Sequence, residues 1–170
     1  MPDGPELRRS DDLNNNQTRR ETNPQNIREA ARDWSPEKQE RFNRADDFYR
    51  EAGYENYDSH LRGIDFDQPV EVVDIERGTN LYQYSYISET TGEPKTGSYF
   101  YDNPEINPNN LGFDIKDRQM IRVELDQSSQ FLRSTSANIE DWEGSGNIFS
   151  GGETQLFNPN TQLINIGAAK

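Results

Sequence analysis

From residue 60 onward the chain is written as short runs of β-branched and aromatic residues, each cut off by Gly, Pro or Asn. Val70–Ile75, Asn80–Ile87, Ser98–Tyr101, Met120–Leu125, Gln155–Phe157 and Leu163–Ile166 are the candidate strands. Thr90-Thr91-Gly92-Glu93-Pro94 reads as a hairpin-like turn, 103–110 as an Asn/Pro loop, and 128–133 as a helix or turn. Within Asn80–Ile87 the alternation places Leu81, Gln83 and Ser85 on one face and Tyr82, Tyr84 and Tyr86 on the other. The pattern implies an α+β domain with a mainly antiparallel sheet and one N-terminal helix.

That helix is predicted over 36–52. Ser35 is a good cap, Pro36 fits the first helical position, Phe42, Ala45, Phe48, Tyr49 and Ala52 recur at helical spacing, and Gly53 supplies a stop. Residues 1–33 are polar, Asn-rich and nearly free of large apolar side chains, which predicts a linker or tail with at most a short helix at 26–33. The folded domain is therefore expected to occupy 34–170, with residues 1–33 either a tether to a larger delivery or carrier protein or a simple disordered tail. Only 30% of residues are apolar, so the core must lean on the two Trp, eight Tyr and eight Phe.

The net charge of −13 is uneven. Residues 1–50 hold 11 acidic and 10 basic side chains, and the rest hold 20 and 8. Such a surface repels a phosphate backbone, which argues against nucleic acid and favours a basic protein partner. With no cysteine and only His60, thiolate chemistry, disulfides and histidine-rich metal sites are excluded. No run approaches the roughly 20 apolar residues of a membrane span.

Three segments carry more Gly, hydroxyl and amide groups than connectors need. Arg77-Gly78-Thr79-Asn80-Leu81-Tyr82-Gln83-Tyr84 is a turn entering a strand, and Gln83 is either part of an ordinary edge or a site wall. Arg133-Ser134-Thr135-Ser136-Ala137-Asn138-Ile139-Glu140-Asp141-Trp142 is either a Ser/Thr turn with a solvated acidic loop or a carboxylate set beside an aromatic face. Gly151-Gly152-Glu153-Thr154-Gln155 is either a flexible turn or a place where backbone approaches something closely.

The order of these pieces resembles the bacterial toxin type 46 family of polymorphic-toxin NAD glycohydrolases, which includes interbacterial effectors delivered by type VI secretion. The resemblance covers roughly residues 61–160. It runs through Gly63-Ile64-Asp65 with Pro69-Val70, Arg77-Gly78-Thr79 with Gln83, and Gly97-Ser98-Tyr99-Phe100. It continues through Pro108 with Leu111-Gly112, Arg133-Ser134-Thr135 with Asp141-Trp142, and Gly151-Gly152 with Gln155. The chain departs from the family at Asn138, where proline is common, and at Glu153, where a third glycine is common.

The resemblance implies an ADP-ribosyltransferase-like fold with split sheets gripping NAD(P), and Gln83 and Asp141 as the catalytic pair. Arg77, Tyr99, Phe100, Ser134, Thr135, Trp142 and Gln155 are the substrate-binding candidates. Cleaving the nicotinamide–ribose bond develops positive charge on the sugar, so a fixed carboxylate and a neutral amide suit it, with no metal or cofactor beyond NAD as substrate. The resemblance also implies a cognate immunity protein and a delivered effector acting in the target-cell cytoplasm. Two alternatives remain. A mono-ADP-ribosyltransferase would use Arg77, Ser134–Ser136 and Glu153, although its usual glutamate-last order is reversed in Glu153-Thr154-Gln155. An acidic binding module would need no site at all.

Overall fold

Ser35 accepts a hydrogen bond from the Lys38 N–H and Pro36 fills the first turn, so helix α2 starts where the sequence predicts and runs Pro36–Glu51. It stops at Gly53, whose φ of +90° and bond to Arg50 O, with Tyr54 N–H bonding Tyr49 O, close the helix in a Schellman turn. These observations come from a computed structural model that describes residues 22–95, 97–140, 147–159 and 164–168.

Two shorter helices flank α2: α1 (Ile27–Ala31) and α3 (Asp58–Arg62). Helix α1 falls within the short helix allowed at 26–33, α3 is unexpected, and the packed domain reaches back before residue 33. Ile27 and Ala31 are buried in one cluster with Phe42, Ala45, Tyr49 and Leu61. Asn23 Nδ2 donates to Arg62 O and Ile64 O, both at 2.8 Å. Arg28 reaches Asp46 at 3.0 Å and Asp58 at 2.8 Å, tying all three helices together. Polar composition hid this segment, because two small apolar contacts and a set of side-chain bonds hold it.

The strands are β1 (Glu71–Ile75), β2 (Asn80–Ile87), β3 (Pro94–Lys95), β4 (Tyr99–Phe100) and β5 (Arg118–Leu125). After them come β6 (Ser129–Thr135), β7 (Ile139–Glu140), β8 (Ile148–Phe149), β9 (Thr154–Phe157) and β10 (Ile164–Ala168). They form two four-stranded sheets, ordered β1-β6-β9-β4 and β10-β5-β2-β3, plus the β7-β8 pair. Every strand pairing is antiparallel.

The segment expected as helix or turn at 128–133 is strand β6, central in the first sheet. Both of its faces are covered. Leu132 joins the helix-side core with Phe157, and Phe131 joins the inter-sheet core with Leu81, Phe100, Ile121, Val123 and Leu156. Two consecutive buried apolar residues erase the alternation by which a one-faced strand announces itself. The first sheet is thus the middle layer, with helices on one side and the second sheet on the other.

Ile27 is fully buried. Ile27→Ala is expected to cost about 2–5 kcal/mol, and deleting residues 1–33 more than that. Urea unfolding of both variants checks this; unchanged midpoints would return the segment to the status of a tail.

Candidate active site

Strand β2 shares one edge between two partners. Near its end Tyr86 and Ile87 pair with Lys95 and Pro94 of β3, while farther back Tyr82 exchanges two main-chain bonds of 2.7 Å with Tyr101, just beyond β4. Between those contacts the chain at 97–99 swings away, and side chains take over the bonding. Gln83 Oε1 accepts from the Ser85 hydroxyl at 2.7 Å and the Gly97 N–H at 3.0 Å, and its Nε2 donates to Tyr99 O at 2.7 Å. A cavity of about 310 Å³ opens at this split, within the size range of small-molecule sites.

Gln83 lines that cavity and is itself buried. Both lone pairs of Oε1 and one N–H are occupied, so the capacity left to it is a single Nε2–H donor. Gln155, on β9, is the complement. Its Nε2 donates to Gly63 O at 3.2 Å and Ser134 Oγ at 3.1 Å, which leaves Oε1 as the accepting end. The two amides offer one donor and one acceptor to the same cavity.

Tyr99 is anchored at both ends. Its carbonyl takes the Gln83 bond, and its hydroxyl is hydrogen bonded to His60 Nδ1 at 2.7 Å and to Tyr49 at 2.5 Å. Burial pushes the Tyr99 and Tyr101 hydroxyls well above the usual tyrosine range, and burial holds His60 below the usual histidine range. Tyr101 is among the residues lining the cavity, and its hydroxyl is buried with no hydrogen-bond partner among the described residues.

The remaining wall is aromatic and cationic. Arg118 lies between two rings, 4.5 Å from the Tyr86 centroid and 4.6 Å from that of Phe113. Its Nε is buried without a partner, and Nη1 reaches Tyr84 O at 3.4 Å. Lys95 lines the same cavity, and among its described lining residues there is no carboxylate.

Of the residues expected to bind substrate, Tyr99 and Gln155 reach the cavity. Arg77 does not: it stands exposed in the β1–β2 turn, its N–H held by Ser128 Oγ. Phe100 does not either, because its ring is a core residue packed edge-on to Phe131 at 6.1 Å. Ser134 is buried behind Gln155 and orients it. Thr135 gives its carbonyl to Asp65 N–H. Asp141 and Trp142 lie outside the described residues.

The paired glycines approach the chain itself. A β-carbon on Gly151 would fall 2.2 Å from Ser136 O, and Gly151 N–H donates to Asn138 Oδ1 at 2.8 Å. Asn138 thus holds this turn through an acceptor that proline lacks. Glu153 Oε2 accepts from Asn107 N–H at 3.2 Å, so this carboxylate pins the 103–110 loop and is not among the cavity's lining residues.

Sequence reasoning missed His60, Lys95 and Arg118. The candidate strand began at Met120, two residues too late, which left Arg118 outside it. His60 sat in a helix that the sequence did not announce.

Two antiparallel sheets, helices packed on one of them and a cavity beside strand β2 define a mixed α/β domain. The chain belongs to the bacterial toxin 46 family, whose profile matches residues 9–164. It is similar to the NAD(P)(+) glycohydrolase toxin Tse6 of Pseudomonas aeruginosa, with 30% identity over 113 residues. That alignment covers 59% of this chain but only 25% of the relative, so the chain spans about a quarter of the relative's length. The solved structure of Tse6 in complex with Tsi6 has the same fold, with a TM-score of 0.65 at 22% identity. The match covers 80% of this chain and 100% of that one.

Protonating His60 must work against its burial. The unfolded chain therefore binds that proton first, and stability should fall as pH drops below about 6.5, the unperturbed histidine value. His60→Gln should remove that part of the slope between pH 5 and 7. Thermal or urea unfolding across this range checks it, and an unaltered slope would place the charge change elsewhere.

Proposed function

We propose that this chain is a toxin domain that hydrolyses NAD(P)+ to nicotinamide and ADP-ribose (or its phosphate), on an ADP-ribosyltransferase-like arrangement of two split sheets. The observation that carries the reading is the cavity at the β2 split. It joins an oriented Gln83, an aromatic wall and unpaired cations in a member of this toxin family. Water attacks the ribose carbon bearing nicotinamide, the C–N bond breaks with its electron pair returning to the ring, and the water gives up a proton.

Gln83 is assigned the task of donating its free N–H to a ribose or water oxygen, from a position fixed by three bonds. Asp141 is assigned the charge that stabilises the sugar cation. It follows Ile139, a lining residue, by two positions in the sequence. The tie of Glu153 to Asn107 speaks against the transferase reading, which needs that carboxylate at the reacting carbon. A cognate neutralising protein is proposed from the complex of Tse6 with Tsi6. Delivery into a target-cell cytoplasm is proposed from the toxin family.

Incubating the purified chain with NAD+ should release free nicotinamide without labelling added proteins with ADP-ribose. Asp141→Asn should lower the rate about 10²–10³-fold, as loss of one electrostatic stabiliser does. Glu153→Gln should have a modest effect. Full activity in the first with collapse in the second would hand the case to the transferase.

The reaction proposed needs no metal, and among the described residues no three His, Asp or Glu side chains gather at ligand spacing. EDTA should therefore leave turnover unchanged; a rate abolished by EDTA and restored by a divalent cation would overturn the metal-free scheme.

A further inference from the structure

Lys95, Tyr86 and Arg118 occupy one row across the second sheet. Tyr86 is the register partner of Lys95 on one side and of Arg118 on the other. Directly opposed residues of antiparallel strands project to the same face, so the two cations flank one ring. All three line the cavity, and Tyr86 remains 44% exposed despite its size.

Neither Lys95 nor Arg118 forms an ion pair with a described carboxylate, and both line a cavity whose described lining holds no carboxylate at all. In a chain with 31 acidic residues against 18 basic, a cavity lined by two cations and no acid runs against the overall charge. The stacked rings fix the guanidinium plane in advance, and its buried Nε has no acceptor. A phosphate supplies both the negative charge and the acceptor oxygens that a guanidinium held between two rings and a neighbouring ammonium group complement.

We propose that Arg118 and Lys95, set on either side of Tyr86, form a phosphate subsite that makes the cavity select phosphate-bearing nicotinamide nucleotides over the bare nucleoside. This deepens the glycohydrolase reading and, for its kinetic arm, rests on it. The phosphate lies at the β3–β5 end, where the cations stand, and the nicotinamide riboside portion lies toward Gln83 and Gln155.

The test measures cleavage of NAD+ and of nicotinamide riboside, which carries no phosphate, together with calorimetric binding of ADP. Arg118→Gln and Lys95→Gln should each lower kcat/KM for NAD+ about 10–100-fold, the size of a lost charge-assisted contact. Each should weaken ADP binding by a similar factor and leave nicotinamide riboside cleavage within about 2-fold. Lys95 is exposed on a short edge strand, so its variant stays informative where Arg118→Gln fails to fold. Equal losses on both substrates, or unchanged ADP binding in the folded variants, would overturn the subsite. A wild-type chain that binds ADP through these residues but releases no nicotinamide would uphold the subsite and sink the glycohydrolase reading.

Discussion

Strand β2 has one edge and two claimants for it. Opposite Tyr86 and Ile87 the edge belongs to β3, and at Tyr82 it belongs to the chain around Tyr101. Between them Gln83 does by side chain what a neighbouring strand would do by backbone, accepting the Gly97 N–H and donating to Tyr99 O. Without that amide the buried Ser85 hydroxyl would lose its acceptor, at roughly 1–3 kcal/mol for a group left buried and unpaired, whereas the exposed Gly97 N–H could turn to water. The same substitution of side chain for strand opens the cavity. Cavity wall and scaffold meet in one residue, and a change at Gln83 therefore touches the stability of the fold as well as the shape of the cavity.

The second dependence is on covered faces. Because the first sheet is clasped between helices and the second sheet, Phe131–Leu132 and Leu156–Phe157 each place one side chain in either core. That fixes β9 rigidly, and β9 presents Gln155, itself braced by Ser134 and Gly63. Tyr99 joins the layers in another way: its hydroxyl meets α2 and α3 through Tyr49 and His60, and its carbonyl meets the second sheet through Gln83. Helical packing is in this way transmitted to the cavity wall.

What the sequence disclosed follows from this layout. The boundaries of α2 and β2 were legible because capping residues and strict alternation are local signals. Strand β6 was not, since a strand buried on both faces loses its period. Gln83, Tyr99 and Gln155 line the cavity whereas Arg77 and Phe100 do not, because the residues that converge are chosen by strand register. That Tyr86 stands opposite both Lys95 and Arg118 is a property of two pairings, and neither can be counted from spacing along the chain. Helix α1 falls within the short helix allowed at 26–33, but its packing into the domain was not legible, because Asn23 bonds Ile64, 41 positions away, and Arg28 bonds Asp58, 30 positions away.

A site that accepts a phosphate and stabilises a sugar cation has to keep two opposite charges apart. Here the cations gather at the β3–β5 end, and a carboxylate placed beside them would pair with them and lose its effect on the sugar. The stabilising charge is better placed at the other end, where the glutamines are. Ile139 belongs to that end: a β-carbon on Gly63 would lie 3.5 Å from its Cδ1, and Gly63 O receives the Gln155 amide. The role proposed for Asp141 rests on its position two residues after Ile139 in the sequence. Glu153 is not free for such a role, because its carboxylate already holds Asn107.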